Sequence, residues 1–540
     1  MPENIQPEDQ SDVQDKPFAA PVQSDQKEQS KTIARESLSL GGRLAWLTIA
    51  IVVTVMITLT AFFRSSEETR TEATPSDLFQ VQLQARMTVG QKNFMKGFAS
   101  PATIGDQDEE GGEEGGEEGG EEGGEEKRNQ STSPPIPSEL NDGTYEQRLC
   151  YVLLVKENNG ADEAAEKLAE LDKDAEKADF ELNEDQAKLR EIVGTLIESH
   201  QAGDFDATPL SEEDRDLLKE KLGWLGEIAL VPEGTRNTET RKELLSDATW
   251  SMGVMMLFFL CGLLALALGF VLAAVFTVFF AAKKLQPAFM TRGKSVNIYI
   301  ETFALWIVFF FVGPQATGLV IQMLGLVISE LMNMLISAGF FFGSLIVLVY
   351  PVYRGISFRQ MCNDIGWKTK GSIADIALSP FSYFAGMPVM LIGMVMVAVL
   401  TLIAAFLAEP KPFGTGVAAG HPIQETFAGG QWLGIAYVVL MACVAAPIVE
   451  ETMFRGVLYR HLRELSGDWA RWGSVIFSAL FNALIFAAIH PQGFVGIPVL
   501  AALAINFSLV REWRDSLVAP ILMHAINNGS VTLLMLLMMS

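Results

Sequence analysis

The chain has 540 residues, with 40 Lys and Arg against 65 Asp and Glu and a formal net charge of −25. Because phosphate neutralisation needs clustered basic side chains, this balance excludes nucleic acid as a partner. The hydrophobic content of 49% in so acidic a chain predicts two unlike parts, one soluble and one in a membrane. The four cysteines form no CxxC pair, which argues against a disulfide framework or a thiolate zinc site.

The amino-terminal segment predicts a tail followed by a membrane anchor. Residues 1–43 are polar, mixed in charge and poor in large apolar side chains, and they predict a disordered cytoplasmic tail. Residues 44–63 are about as long and apolar as one membrane crossing requires, and they predict an N-terminal transmembrane anchor. A signal peptide is the alternative, but the segment lies far from Met1 and no small-residue cleavage site follows.

The next part of the chain is acidic and soluble in character. Residues 64–140 predict an acidic Glu/Gly-rich linker, because Glu-Glu and Gly-Gly alternate from Glu109 to Glu126. Residues 141–247 predict an acidic helical soluble module, with helices at 149–154, 164–171, 189–197 and 217–225. No motif indicates what the module binds, so the partner of the acidic soluble module is unknown.

Residues 250–540 predict a multi-span membrane domain. Together with the anchor, its apolar runs predict an all-α polytopic membrane helical bundle of about eight or nine spans. These runs cover residues 252–280, 298–313, 319–350, 381–407, 432–449, 472–489, 495–509 and 517–538. The run 319–350 is long for one helix, which predicts a kink or break around Gly339.

The basic residues near the span ends predict an orientation. Four clusters alternate with the spans, namely Lys27 to Arg43, Lys283 to Lys294, Arg354 to Lys370 and Arg455 to Arg471. By the positive-inside rule these clusters are cytoplasmic. The sequence therefore predicts a multi-pass protein of the cell membrane, with its N-terminus cytoplasmic, the acidic module extracytoplasmic and membrane lipid as a partner.

Two adjacent carboxylates lie in an apolar segment near the carboxyl end. An ionised carboxylate at mid-bilayer costs at least about 2.5–3.5 kcal/mol, so a pair there indicates function. Glu451 and Arg455 are one helical turn apart and can form an internal ion pair. Glu450 is rotated by about 100° and can face another partner. Pro447 removes a backbone hydrogen bond one turn earlier, which predicts a bend with room for water.

Two further pairs at a spacing of four follow in apolar segments, Phe486 with His490 and His524 with Asn528. Glu450 and His490 form a plausible couple for deprotonating water. His524 and Asn528 share one helix face and are suited to donate to an oxyanion. Phe486 is expected to pack under His490, a contact that core packing alone also explains.

Other catalytic classes lack their signatures in this chain. There is no GxSxG elbow and no HExxH zinc motif, and Cys443 has no evident base beside it. A metal remains an alternative, because Glu450, His490 and His524 form a two-histidine, one-carboxylate set that suits zinc. The cofactor is therefore unknown, with zinc as the candidate.

The three motifs together closely resemble those of the CPBP intramembrane proteases, also called the type II CAAX prenyl endopeptidase or ABI family. The residues that carry the resemblance are Glu450, Glu451, Arg455, Phe486, His490, His524 and Asn528. The wider similarity covers about residues 381–540. It implies a membrane endopeptidase, glutamate- or metal-dependent, in which Glu450 and His490 activate water and His524 and Asn528 hold the oxyanion. The implied substrate is a membrane-associated protein or peptide cut near its carboxyl end.

Two non-peptidase interpretations compete with this one. A membrane scaffold, or a protein resembling bacteriocin-immunity proteins, would use the polar motifs to hold helices together, although such contacts average only about 0.6 kcal/mol. A proton-coupled transporter would use Glu301 and Glu330 in other spans. Inverted repeats, which are typical of transporters, are not evident in the sequence.

For the peptidase interpretation to hold, the helix with Glu450 must run on toward Leu462. Otherwise Glu450 and His490 lie near opposite ends of neighbouring spans.

Overall fold

The structure is a computed structural model that describes residues 38–67, 71–99, 136, 141–289, 296–368, 372–407, 413–414 and 432–539. Within these ranges the regular structure is helical and contains no strand. The predicted all-α class is therefore confirmed. Residues 1–37 of the predicted tail and nearly all of residues 100–140 lie outside the described residues.

The first two helices precede the linker. Helix α1, Leu40–Glu67, contains the predicted anchor segment. Helix α2, Pro75–Ala99, lies inside the range predicted as linker, and these residues are helical. Val81, Ala85 and Val89 recur every four residues and are buried in the same core as Ala248. The helix is polar overall, and its stability depends on this narrow apolar stripe meeting a distant helix.

The soluble module contains four short helices, and they coincide with the predicted ones. They are α3 (Tyr145–Asn159), α4 (Ala161–Lys177), α5 (Glu184–Gln201) and α6 (Glu212–Ala229). Thr144 and Asn183 begin α3 and α5 with reciprocal capping boxes, and Ser211 caps α6. The helices enclose a core that contains Leu149, Leu196 and Leu225.

Helix α7, Thr238–Ala281, joins the module to the membrane domain as one helix of 44 residues. Its first turns belong to the module core through Leu244 and Ala248. Its later turns carry exposed apolar side chains such as Leu264 and Phe270, as a membrane span requires. The boundary predicted between residues 247 and 250 therefore falls within a continuous helix.

Nine helices in the described ranges are long and apolar enough to cross a membrane, as predicted. Besides α1 and α7, they include α8 (Val296–Met323), α9 (Glu330–Tyr353), α12 (Met387–Leu407), α13 (Trp432–Leu465), α14 (Arg471–Ala488), α15 (Gly493–Arg514) and α16 (Val518–Met539). Helix α10 (Phe358–Ile365) and helix α11 (Ser372–Ala385) connect α9 to α12.

One predicted span boundary was misplaced. The sequence predicts a break between residues 313 and 319, but α8 continues through Pro314, and the chain instead breaks after Met323. Gly325 adopts a φ of +62°, which a glycine reaches without a steric penalty. Around Gly339, α9 stays helical and tightens into a 3-10 turn only at Ser344–Leu348.

The anchor helix α1 packs into the bundle beside α8 and α13. The Ser39 amide donates to Asn297 Oδ1 at 3.1 Å, and the Trp46 indole donates to His461 Nε2 at 3.2 Å. A Cβ atom at Gly41 would lie 2.3 Å from a carboxylate oxygen of Glu301, so a larger residue there would displace the Glu301 side chain. The anchor is thus part of the bundle and contacts the helix that carries the acidic pair.

The soluble module lies against one end of the membrane bundle. Phe413, which follows α12, packs edge-on against Phe180 at 5.4 Å and lies under the Arg148 guanidinium at 4.3 Å. The Trp250 indole also donates to the Leu537 carbonyl at 3.1 Å. The module therefore contacts the segment after α12 and the carboxyl end of α16.

Candidate active site

Helix α13 carries the acidic pair between two π-helical turns, at Met441–Ala445 and Thr452–Leu458. The α-helical segment Ala446–Glu451 between them begins with Pro447 near its N-terminus. Proline cannot donate the backbone bond that a regular helix needs there, and π turns often mark functional sites. Because α13 continues to Leu465, Glu450 lies within its length, as the predicted site requires.

Glu451 is completely buried and held by two cationic or polar partners. Its Oε1 atom accepts from Arg455 Nη1 at 3.1 Å and lies 2.9 Å from His524 Nδ1. Arg455 is itself fully buried and donates to the Ala504 carbonyl at 3.2 Å. This carboxylate is therefore committed to holding Arg455 and His524 in place.

Glu450 has a different environment from its neighbour. Its side chain is 14% exposed, and its Oε2 atom has no hydrogen-bond partner among the described residues. That atom lies 3.7 Å from His490 Nε2, which is beyond a direct hydrogen bond. His490 Nδ1 contacts the Phe486 carbonyl, and because carbonyls only accept, Nδ1 carries a proton; in the neutral imidazole Nε2 then faces Glu450 as an acceptor.

Phe486 brings the two imidazoles together. Its ring centre lies 4.2 Å from that of His490 and 6.2 Å from that of His524. The Arg455 guanidinium lies over the same ring at 4.6 Å. On the other side of His524, Phe507 stacks on the imidazole at 5.5 Å. The three sequence motifs thus meet at one place, which their spacing alone does not establish.

Asn528 lies on the same helix as His524 and contacts the first π turn. Its Nδ2 donates to the Ala442 carbonyl at 2.8 Å, and its Oδ1 accepts from Asn527 at 3.1 Å. Asn527 Oδ1 in turn accepts from the Tyr383 hydroxyl at 3.2 Å. One of the two N–H groups of Asn528 is therefore used to hold the backbone around the site.

The second π turn is supported in the same way. The Asn482 amide donates to the Phe454 carbonyl at 2.6 Å, and Arg511 Nε donates to the Arg455 carbonyl at 3.2 Å. A π turn shifts the hydrogen-bond register and leaves carbonyls for other donors. The side chains of three neighbouring helices therefore fix the distorted helix on which Glu450 and Glu451 lie.

The metal-binding alternative concerns Glu450, His490 and His524. No group of three His, Cys, Asp or Glu side chains in the described ranges is close enough together to hold a metal ion as it stands. His524 Nδ1 contacts Glu451 and His490 Nδ1 contacts the Phe486 carbonyl, which are contacts that a metal-ligating histidine also makes with its second ring nitrogen. Zinc therefore stays a prediction, and no catalytic step is derived through it.

Several residues around the site were not predicted. Phe507, Asn527 and Tyr383 support His524 and Asn528, but none of them belongs to a recognisable motif. The Asn527-Asn528 doublet in an apolar helix was the available signal for Asn527. The transporter candidates lie elsewhere: Glu301 accepts from Tyr350 and Arg354, and Glu330 begins α9.

The fold and the site define a polytopic helical membrane protein with two carboxylate–imidazole couples enclosed within its bundle. Residues 432–530 match the Rce1-like family, described as type II CAAX prenyl endopeptidase Rce1-like. The chain is also 32% identical over 104 residues to the membrane-embedded CAAX protease MroQ of Staphylococcus aureus (strain USA300). That match covers 19% of this chain and 41% of the relative. No solved structure matches the chain.

Residues 432–530 are thus similar to the type II CAAX prenyl endopeptidases of the CPBP family, the resemblance that the motifs indicated. The matched segment includes α13 to α15 and the first part of α16, and it contains all seven residues on which the resemblance was based. The soluble module and the first five spans lie outside it.

Proposed function

We propose that the chain is an intramembrane endopeptidase that cleaves a membrane-associated protein or peptide near its carboxyl end. The observation that carries the proposal is the difference between the two adjacent carboxylates. Glu451 is bonded to Arg455 and His524, whereas Glu450 Oε2 faces His490 across 3.7 Å without a hydrogen-bond partner in the described ranges. A free carboxylate beside an imidazole lone pair is suited to remove a proton from water.

In this mechanism a water lies between Glu450 and His490. The gap of 3.7 Å is too long for a direct bond, and a bridging water satisfies both acceptors by donating its two protons to them. Glu450 takes one proton as the water oxygen attacks the carbonyl carbon of the substrate. The same proton then passes to the leaving amine as the carbon–nitrogen bond breaks.

The developing oxyanion needs donors on its other side. His524 Nδ1 lies 2.9 Å from Glu451 Oε1; in the proposed mechanism the imidazole carries a proton on both nitrogens, so that Nδ1–H donates to Glu451 and Nε2–H donates to the oxyanion. Asn528 has a second N–H besides the one that binds Ala442. We assign oxyanion stabilisation to these two groups, while Glu451 and Arg455 hold His524 in the required orientation.

The name of the relative MroQ describes it as a CAAX protease, and we extend that substrate class to this chain as part of the proposal. We place the protein in the cell membrane, with the N-terminus in the cytoplasm and the module outside. The soluble module then lies on the side opposite the basic loops. The acidic pair lies in the half of α13 that ends with the basic residues Arg460 and Arg463. In the proposed orientation this half is the cytoplasmic one, so we expect the carboxyl end of the substrate to be cytoplasmic.

Cleavage by a Glu450→Gln variant tests the proposal. The full chain is reconstituted in liposomes with membrane-anchored peptides of varied carboxyl ends, and products are identified by mass spectrometry. Because a positioned base contributes about 10²–10⁴ in rate, we expect a loss of at least about a hundredfold.

The matched control is Glu330→Gln, which changes an exposed acid at the start of α9 and should cleave normally. Full activity of Glu450→Gln would refute the proposed role of Glu450. Stoichiometric zinc in the purified protein would replace this mechanism with a metal-dependent one.

A further inference from the structure

A cavity of about 350 Å³ lies between α7, α11, α14 and α15. This volume is within the range of about 300–1,000 Å³ that is typical of ligand pockets. None of its lining residues belongs to the candidate active site. Most of the lining is apolar and aromatic, including Phe276, Phe280, Trp472 and Trp513. The cavity therefore suits a ligand with a substantial hydrocarbon part.

Two polar groups in the cavity wall lack partners. Ser382 and Asn506 are 3% and 7% exposed, and Ser382 Oγ and Asn506 Nδ2 make no hydrogen bond within the described part of the chain. Both atoms are covered by protein, and Asn506 lies directly against Gly386, where a Cβ atom would be 1.7 Å from its Nδ2. Rotation of the Asn506 amide turns this NH2 group toward the cavity and gives a ligand with a hydrogen-bond acceptor on an otherwise apolar body a partner.

The cavity lies at the membrane face that carries the basic loops. Trp472 follows the first residue of α14 and Trp513 precedes the last residue of α15, so both rings lie at helix ends, where tryptophans border a membrane interface. Arg471 is exposed and donates to the carbonyl of Pro287, a lining residue, at 2.8 Å. Lys283 and Lys284 are also exposed, between lining residues Phe280 and Leu285.

An acidic side chain in the lining does not oppose an anionic ligand. Glu512 accepts from Arg463 Nε and Nη2 at 3.0 and 3.1 Å and from the Tyr459 hydroxyl at 3.1 Å. This bidentate pair neutralises its charge. The uncompensated charge at the mouth is therefore positive, and basic pockets between membrane helices bind anionic lipid head groups.

We propose that this cavity binds an anionic glycerophospholipid from the leaflet at the basic loops. One acyl chain occupies the aromatic part of the cavity, and an ester carbonyl accepts a hydrogen bond from the Asn506 amide once that amide has rotated toward the cavity. The phosphate lies near Lys283, Lys284 and Arg471. The next residue after Asn506, Phe507, stacks on His524, so the lipid binds behind the helix that supports that imidazole.

Quenching by a brominated lipid tests this proposal without any assay of peptidase activity. The full chain in neutral detergent is titrated with phosphatidylglycerol that carries bromine on its acyl chains, and tryptophan fluorescence is recorded. Because Trp472 and Trp513 line the cavity, we expect saturable quenching. Brominated phosphatidylcholine should bind at least about fivefold more weakly, since each nearby basic residue contributes about 1 kcal/mol with an anionic head group.

The chain offers a matched pair of variants on α7. Ala273→Phe fills the cavity and should weaken phosphatidylglycerol binding at least about tenfold, because Ala273 lines it. Ala274→Phe adds the same ring at an exposed neighbouring position and should bind as the unchanged chain does. Asn506→Leu removes the donor at similar size and should weaken binding about three- to tenfold.

Equal binding by Ala273→Phe and Ala274→Phe would overturn the proposal, as would equal affinity for phosphatidylcholine or quenching that does not saturate. If Ala273→Phe fails to fold, Asn506→Leu decides the question, and unchanged affinity in that variant overturns the assignment. Because the measurement is of binding, its outcome is independent of whether the chain cleaves peptides.

Discussion

Replacing Glu451 with Gln should separate the structural acid of the pair from the chemical one. The change leaves Arg455, which is 0% exposed, without its carboxylate partner. Among the described residues Arg455 Nε has no hydrogen-bond partner, and the remaining contacts include the Ala504 carbonyl and the rings of Phe454, Phe486 and Phe507, none of which carries a negative charge. Breaking a buried ion pair on one side costs about 3–5 kcal/mol, because the other charge is left uncompensated.

Thermal unfolding of the full chain in detergent measures this cost. With about 2–4 °C lost per kcal/mol for a large domain, Glu451→Gln should lower Tm by at least about 6 °C. Glu450→Gln, one residue earlier, should leave Tm nearly unchanged, since Glu450 Oε2 gives up no hydrogen bond in the described ranges. Equal Tm values for the two variants would refute the division of roles between these acids.

A double variant provides the internal check. Glu451→Gln combined with Arg455→Met removes both charges, and replacing a buried pair with uncharged side chains of similar size is often close to neutral. The double variant should therefore recover most of the lost Tm while His524 still lacks its carboxylate partner. A Tm no higher than that of Glu451→Gln would show that the ion pair is not the source of the loss.

Two further predictions concern the soluble module, and urea unfolding of the full chain followed by pulse proteolysis measures both. Gly90→Ala should lower the free energy of unfolding by about 1–3 kcal/mol, because the added Cβ would lie 2.2 Å from the Ala248 carbonyl oxygen. Gly253→Ala is the control, because a Cβ there meets no atom within 4 Å, and equal urea midpoints for the two variants would contradict the prediction. Burial lowers the pKa of His200 to about 3, so the folded module keeps this imidazole neutral while the unfolded chain binds a proton below about pH 6.5. Stability should therefore fall with pH below 6.5, by about 2 kcal/mol at pH 5, and His200→Phe should remove this dependence; an equal fall in both proteins would exclude His200 as its source.

The sequence was sufficient for those features that depend on local spacing. A separation of four residues correctly predicted the contact between Phe486 and His490, and helices lie where apolar spacing predicted them, at 189–197 and 217–225. The count of nine spans follows from lengths of apolar sequence, which composition determines directly. The resemblance to the CPBP family rested on the same short-range patterns.

Features that depend on distant contacts were not predictable in this way. The hydrogen bond between Glu451 and His524 joins residues 73 positions apart, and no local rule selects His524 over His490 as the partner. Helix α2 was missed because its few buried residues gain their stability from α7. The two π turns depend on donors such as Asn482 and Asn528 from other helices, so the local sequence of α13 does not specify them.

The unbroken course of α7 links two parts of the molecule mechanically. At about 1.5 Å per residue, its 44 residues form a rod of about 66 Å that begins in the module core and ends beside the lipid cavity. Because the helix is continuous, tilting its module end by about 5° moves its other end by about 6 Å. A partner that reorients the acidic module on one side of the bilayer would thereby shift Ala273 and Phe276, and so reshape the wall of the cavity on the opposite side.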